Sequence, residues 1–193
     1  MQNILHRDIT IPVDTIRLQA TLTIPGKVMG IVIFSHGSGS SRFSPRNRFV
    51  ADILNQHHIA TLLADLLTPE EDAVYANRFN IELLTERLIA ITRWISQRDF
   101  GQTIPIGYFG ASTGAASALK ATVPCGNIVS AIVSRGGRPD LAAASLAFVK
   151  TPALLIVGSL DEEVLALNRQ ALESLSCEKQ LTIVEGATHL FEE

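Results

Sequence analysis

Short, nearly unbroken runs of apolar residues recur along this chain of 193 residues, and most are followed by a turn and a helical pattern. A strand with one wet face alternates apolar and polar residues, so unbroken runs indicate strands buried on both faces. Parallel strands covered by helices on two sides have this property. The runs are Gly30 to Phe34, Thr61 to Ala64, Ile104 to Phe109, Ile128 to Val133, Ala153 to Val157 and Leu181 to Val184.

The beginning of the chain has a different pattern. Residues Ile16 to Ile24 alternate apolar and polar side chains, and a shorter alternation includes Ile9 and Ile11. Alternation with period two is typical of strands with one solvated face. We therefore expect an antiparallel hairpin ahead of the parallel strands.

Helical periodicity fills the segments between the apolar runs. The clearest case spaces Ile81, Leu84, Leu88, Ile91 and Ile95 three or four residues apart, which places them on one face of a helix. The fold class predicted is α/β, with a mostly parallel sheet in a single domain over residues 1–193. The other predicted helices are Pro45 to His57, Ser112 to Ala121, Pro139 to Val149 and Glu162 to Leu175.

Composition and charge exclude several classes of partner. The formal net charge is −3 and no run of Lys and Arg occurs, which argues against nucleic acid and against an anionic membrane surface. The N-terminal residues lack the apolar core of a signal peptide, and no apolar stretch is long enough to span a bilayer, so we expect a cytoplasmic protein. Cys125 and Cys177 form no disulfide or metal-binding pattern, and we expect no metal and no cofactor.

A serine lies between two glycines where a predicted strand meets a predicted helix. Gly110, Ser112 and Gly114 form the G-x-S-x-G spacing, which lets the backbone turn sharply and lift a nucleophilic hydroxyl out of the fold. The alternative is a helix that begins at a serine N-cap after a glycine turn.

Two more residues complete a catalytic order. Asp161 follows a later predicted strand and His189 lies near the end of the chain, so the order is Ser, Asp, His, as in esterases of α/β architecture. His189 is predicted to take the proton of Ser112, and Asp161 to orient the imidazole. Alternatively, Asp161 caps the helix that begins at Glu162, and His189 is a surface residue.

Two backbone N–H groups are predicted to bind the oxyanion. One belongs to Thr113, the residue after the nucleophile, and the other to Ser38 in the loop after the third strand. His36 in the same loop is assigned either a structural role or a substrate contact. Arg135 and Arg138 follow another strand end, where Arg135 is predicted to hold a substrate carboxylate, or one of the two arginines to pair with Asp140 or Asp65.

Four segments of the sequence together resemble the α/β-hydrolase superfamily and, within it, the small cap-less hydrolases related to dienelactone hydrolase. They read FSHGSGSSRFSPRNR, GYFGASTGAA, LLIVGSLDEEV and VEGATHLFE. The resemblance implies a three-layer α/β-hydrolase-type sandwich, a small-molecule ester, thioester or lactone substrate, and Asp161 as the acid of the triad. Because the segment Ser134 to Pro152 holds room for only one short helix, we expect no lid domain and a shallow, open cleft.

The chain departs from this family in two respects. Dienelactone hydrolase uses a cysteine nucleophile, whereas this chain has Ser112. Family members usually continue into a last helix, which is expected to be absent here because His189 lies four residues before Glu193. An uncovered sheet surface would then favour a homodimer. Two other functions stay open, namely an acyltransferase or thioesterase and a non-catalytic binding module on a hydrolase fold.

Overall fold

The computed structural model describes residues 4–98 and 101–192, so the ends of the predicted domain, at residues 1–3 and 193, lie outside the described residues. The described chain forms an eight-stranded sheet flanked by helices. Its strands are β1 (Leu5–Val13), β2 (Ile16–Ile24), β3 (Gly30–Ser35), β4 (Ile59–Ala64), β5 (Ile106–Ala111), β6 (Val129–Arg135), β7 (Ala153–Gly158) and β8 (Lys179–Val184). Its α-helices are α1 (Pro45–Gln56), α2 (Pro69–Asp72), α3 (Ile81–Ser96), α4 (Thr113–Cys125), α5 (Ala143–Leu146) and α6 (Glu162–Ser174).

The strand order is β1-β2-β4-β3-β5-β6-β7-β8. Strands β1 and β2 form the predicted antiparallel hairpin, and β2 also pairs antiparallel with β4. All the other pairs are parallel. The predicted fold class is therefore confirmed, and the carboxyl ends of β3 to β7 lie at one edge of the sheet, where loops of an α/β protein gather functional groups.

Helices cover the sheet unequally. The larger hydrophobic core joins the sheet to α3 and α4, and Leu88, Ile91 and Ile95 of the predicted apolar stripe are completely buried there. Ala51 of α1 packs on the opposite face, in a small cluster with Phe34 and Phe109. Apolar residues on two sides of the sheet explain why the central strands are unbroken apolar runs in the sequence.

One predicted helix is wrong in its extent. Residues Pro139 to Val149 form a 3₁₀ turn at Pro139–Ala142 followed by the four-residue helix α5. The backbone at Ala142 leaves the helical region, with φ −115° and ψ 15°, and this divides the segment. The link between β6 and β7 thus holds these two short elements and no lid, as predicted.

Strand β8 forms one edge of the sheet. Its Ile183 and Val184 side chains are 41% and 36% exposed. An edge strand with exposed apolar side chains is a surface with which a strand of another molecule can pair.

Candidate active site

Ser112 occupies a sharp turn between β5 and α4. Its backbone angles are φ 52° and ψ −123°, a region that residues other than glycine rarely adopt. The Ser112 N–H donates to the carbonyl of Arg135 at 3.3 Å, and the Ser112 carbonyl accepts from the N–H of Arg138 at 3.1 Å. The surrounding strands therefore hold a strained conformation that presents the side chain at the end of the sheet.

The two glycines of the motif are required by close packing. A Cβ at Gly110 would overlap the backbone of Ala115, and a Cβ at Gly114 would overlap the carbonyls of Ser35 and His36. Helix α4 can therefore approach the ends of β3 and β5 only with glycine at both positions. The Ser112 hydroxyl makes no hydrogen bond to the start of α4, so the N-cap alternative has no support in the structure.

The loop after β3 lies directly against the serine. A Cβ placed on Gly37 would lie 3.1 Å from the Cβ and 3.8 Å from the Oγ of Ser112. Ser38 is exposed, and its N–H donates to the Oγ1 of Thr113 at 2.8 Å. The two predicted oxyanion residues are thus brought together, with the Ser38 N–H bound to the Thr113 hydroxyl.

Asp161 and His189 form a direct pair. The Nδ1 of His189 lies 2.6 Å from the Oδ2 of Asp161, and the two side chains are 37% and 14% exposed. Asp161 stands at the N-cap position of α6 but makes no side-chain capping bond, so its carboxylate serves the imidazole and not the helix.

The imidazole lies beside the serine turn. A Cβ on Gly136 would lie 3.5 Å from the Nδ1 and Cε1 of His189, and Gly136 directly follows Arg135, whose carbonyl binds the Ser112 N–H. Across the part of the chain that the structure describes, no hydrogen bond joins the Ser112 hydroxyl to His189. Such bonds are often long without substrate and shorten when the reacting complex forms.

His36 is fully engaged by the backbone. Its Nδ1 donates to the Gly37 carbonyl at 3.0 Å, and its Nε2 accepts from the Leu66 N–H at 3.1 Å. These two partners fix the neutral form, and burial lowers the pKa of His36 below its usual 6.5, against smaller opposing effects that include the Gly37 bond. The side chain therefore ties the loop after β3 to the segment after β4.

Arg135 and Arg138 differ in their partners. Arg138 forms an ion pair with Asp140, and Arg42 pairs with Asp65. Among the described residues Arg135 has no carboxylate partner, and its guanidinium lies 5.6 Å from the ring centre of Phe191. Burial, and to a lesser extent the charge of Arg46, lowers the pKa of Arg135.

Three features of the site were not found from the sequence. They are the contact between the Thr113 hydroxyl and Ser38, the proximity of Arg46 to Arg135, and the ring of Phe191. Each depends on which rotamer a side chain adopts across two loops. The spacing of residues in the sequence does not indicate which rotamer each side chain adopts.

A cavity of about 200 Å³ beside the loop after β3 is lined in part by His36, Arg42 and Asp65, but Ser112 is not among its lining residues.

Over residues 4–98 and 101–192, no cluster of three or more His, Cys, Asp or Glu side chains could hold a metal ion. No α-helix in the same ranges is long and apolar enough to cross a bilayer.

Comparison with known proteins gives both curated relatives and solved structures. No family model matches the chain. Two curated Mycobacterium tuberculosis proteins, from strains CDC 1551 / Oshkosh and ATCC 25618 / H37Rv, are 56% identical over 172 residues. Both are provisionally named phosphoribosyl transferases. The match covers 89% of this chain, which spans only 39% of the length of those relatives.

A crystal structure named dienelactone hydrolase, from Anabaena variabilis ATCC 29413, is 48% identical to this chain with a TM-score of 0.95. That match covers 98% of this chain and 90% of the other. An alpha-beta serine hydrolase homologue from Coxiella burnetii is 20% identical with a TM-score of 0.81, covering 99% and 91%. The second likeness is one of fold alone.

Proposed function

The chain belongs to the dienelactone hydrolase family of α/β-hydrolases, and on that premise we propose that it is a serine hydrolase acting on a carboxylic ester, thioester or lactone. The observation that carries the proposal is the pairing of His189 with Asp161 at 2.6 Å beside a strained turn that presents Ser112. A nucleophile on a sharp turn, a base and an orienting carboxylate are the parts that covalent acyl transfer requires.

The first half of the reaction forms an acyl-enzyme. Asp161 accepts from Nδ1 of His189, which leaves Nε2 to take the proton of Ser112. The Ser112 Oγ then bonds to the substrate carbonyl carbon, and the carbonyl electrons move to oxygen. When the tetrahedral intermediate collapses, the bond to the leaving group breaks, and the imidazolium returns its proton to the departing alkoxide or thiolate.

Water completes the reaction by the same route. The Nε2 of His189 takes a proton from water as the hydroxide bonds to the acyl carbon. The second intermediate expels Ser112, whose Oγ recovers a proton from the imidazolium. The Asp161 carboxylate stabilises the positive imidazole in both halves.

We assign oxyanion stabilisation to the Thr113 N–H and to the loop that contains Ser38. Thr113 is the first residue of α4, so its N–H lies at the positive end of the helix dipole. His36 supports this site indirectly, because its two ring nitrogens hold the loop in place through Gly37 and Leu66.

Arg135 is proposed to bind an anionic group of the substrate. Its guanidinium lacks a carboxylate partner among the described residues and stands on the strand end next to Ser112. A planar guanidinium can hold a carboxylate through two parallel hydrogen bonds. The substrate class proposed is thus a small ester or lactone that carries a carboxylate.

The alternatives make different predictions. An acyltransferase or thioesterase would use the same triad but would favour an acceptor other than water, or a thiol ester over its oxygen analogue. A non-catalytic binding module would leave Ser112 unreactive. The provisional name of the mycobacterial relatives applies to proteins of which this chain spans 39%, so we do not carry phosphoribosyl transfer over to it.

Self-association into a homodimer remains part of the proposal. The exposed apolar side chains of the edge strand β8 support it.

A fluorophosphonate probe tests the proposed nucleophile. We expect the folded protein to be labelled at Ser112, and Ser112→Ala to abolish both labelling and hydrolysis of an activated ester. The matched control is Ser174→Ala, which removes an exposed hydroxyl at the last residue of α6, the end of that helix opposite Asp161. An unlabelled native protein, or a folded Ser112→Ala variant with most of its activity, would contradict the serine mechanism.

A further inference from the structure

The contact between Ser38 and Thr113 changes how the oxyanion site is built. The Ser38 N–H, the predicted second donor, is bound to the Thr113 Oγ1 at 2.8 Å. A donor engaged in that way is not available to the substrate oxygen. The site must therefore either break this contact or use it.

The Thr113 hydroxyl keeps one hydrogen to give. It accepts from Ser38, and over the described part of the chain its own hydrogen has no acceptor. A hydroxyl is both a donor and an acceptor, so the bond from Ser38 leaves its donor capacity unused. Thr113 as a residue is 4% exposed, and an unused donor at such a position is costly unless a ligand accepts it.

The position of the hydroxyl fits an oxyanion. Thr113 directly follows the nucleophile, and its Oγ1 bridges to the loop whose Gly37 lies against the Cβ of Ser112. The hydroxyl thus lies between the two elements that must enclose the carbonyl oxygen. The hydrogen bond that the Ser38 N–H donates polarises the Thr113 hydroxyl and makes it a stronger donor.

We propose that Thr113 is a catalytic residue with two donors, its backbone N–H and its side-chain O–H, and that Ser38 acts on the oxyanion through that hydroxyl. This inference rests on the proposed function, because an oxyanion forms only if Ser112 attacks a carbonyl. The ligand it names is the tetrahedral oxygen of an ester, thioester or lactone.

The test compares Thr113→Val, which keeps the shape but removes the hydroxyl, with Thr113→Ser, which keeps the hydroxyl. Removal of one oxyanion donor costs roughly a hundredfold or more in kcat. We expect that loss in Thr113→Val with KM little changed, and nearly normal kcat in Thr113→Ser. Binding of an arylboronic acid, which forms a tetrahedral adduct on the serine, should weaken in the valine variant by a similar factor.

Thr122→Val is the matched control. Thr122 is also a buried threonine of α4, and its hydroxyl donates to the Leu119 carbonyl away from the site. Its loss should leave kcat and boronate binding unchanged. If Thr113→Val does not fold, Thr113→Cys replaces it, because a thiol is a much weaker donor of similar size.

The following outcomes separate the possibilities. A valine variant with normal kcat and normal boronate affinity would overturn the role of the hydroxyl. A rise in kcat in Thr113→Ala would also overturn it, since the hydroxyl would then be blocking the Ser38 N–H. If Ser112→Ala keeps most activity, both the serine mechanism and this inference are refuted. If Ser112→Ala loses activity but Thr113→Val reacts at the normal rate, this inference alone is refuted.

Discussion

Arg138 donates two parallel hydrogen bonds to Asp140, from Nε to Oδ1 at 2.9 Å and from Nη2 to Oδ2 at 2.8 Å. Hydrogen bonding to Arg138 lowers the pKa of Asp140, and the same pairing raises the pKa of Arg138. Asp140 also follows a strand end, as Asp161 does, so its place in the sequence alone would allow it to act as the triad acid. Its commitment to Arg138 leaves Asp161 as the carboxylate that meets His189.

Asp161→Asn tests that assignment. An amide at this position keeps the shape but favours the wrong imidazole tautomer, and such a change lowers kcat by about four orders of magnitude in a well-studied triad. We expect a large fall in acylation rate, measured as the burst with an activated ester, and little change in the unfolding midpoint.

Asp140→Asn is the counterpart. It breaks a partly exposed ion pair, which contributes about 1 kcal/mol or less to stability, so activity should stay near normal. A kinetic loss at Asp140 with none at Asp161 would transfer the acid role to Asp140.

Arg135→Gln should separate charged from neutral substrates. Hydrogen bonds to charged groups contribute about 1.5 to 3 kcal/mol, so kcat/KM for a carboxylate-bearing ester should fall roughly tenfold or more. An uncharged ester of the same shape should be hydrolysed at its former rate. Arg138→Gln serves as the control, since its guanidinium is held by Asp140; equal losses for both esters in Arg135→Gln would remove the anion-binding role.

Stability should fall as the solution is acidified through the range set by His36. Because folding lowers the pKa of this buried group below 6.5, the unfolded chain binds a proton that the folded chain resists. The contribution of His36 to the free energy of unfolding is therefore fully present above about pH 6.5 and is lost progressively below it. Urea titrations from about pH 7 to pH 5 measure this slope.

His36→Gln keeps one donor and one acceptor but cannot titrate, so its unfolding free energy should vary less over the same pH range. The matched variant His57→Gln changes an exposed histidine at the end of α1 and should keep the slope of the parent. Equal slopes in all three proteins would show that another group governs the acid sensitivity.

Self-association should be visible by light scattering at micromolar concentration. Ile183→Lys places a charge on the exposed edge strand β8, where an added lysine opposes strand pairing. We expect a dimer for the parent and a monomer for the variant. A parent protein that stays monomeric would refute the expectation.

The sequence predicted the strands well because burial on two faces produces unbroken apolar runs, as in the predicted run Ile104 to Phe109, which overlaps β5 (Ile106–Ala111). It also allowed Ser112, Asp161 and His189 to be predicted as candidate site residues, since glycine spacing and strand ends are local features. The partner of the Ser38 N–H could not be predicted, because it depends on a threonine rotamer 75 residues away in the chain. The break at Ala142 was missed for a related reason, since an alanine-rich stretch carries no local signal against a continuous helix.

The strained backbone of Ser112 also makes the proposed reactivity of its hydroxyl a measure of folding. A residue held at φ 52° costs about 1 to 3 kcal/mol relative to a relaxed conformation, and only assembled strands and α4 around it can maintain that geometry. A partly unfolded molecule would release the turn that presents the Ser112 hydroxyl before losing all of its sheet. The rate of covalent labelling at Ser112 would therefore be proportional to the fraction of molecules in which the sheet edge is fully formed. This rate gives a direct assay for screening variants, additives and storage conditions.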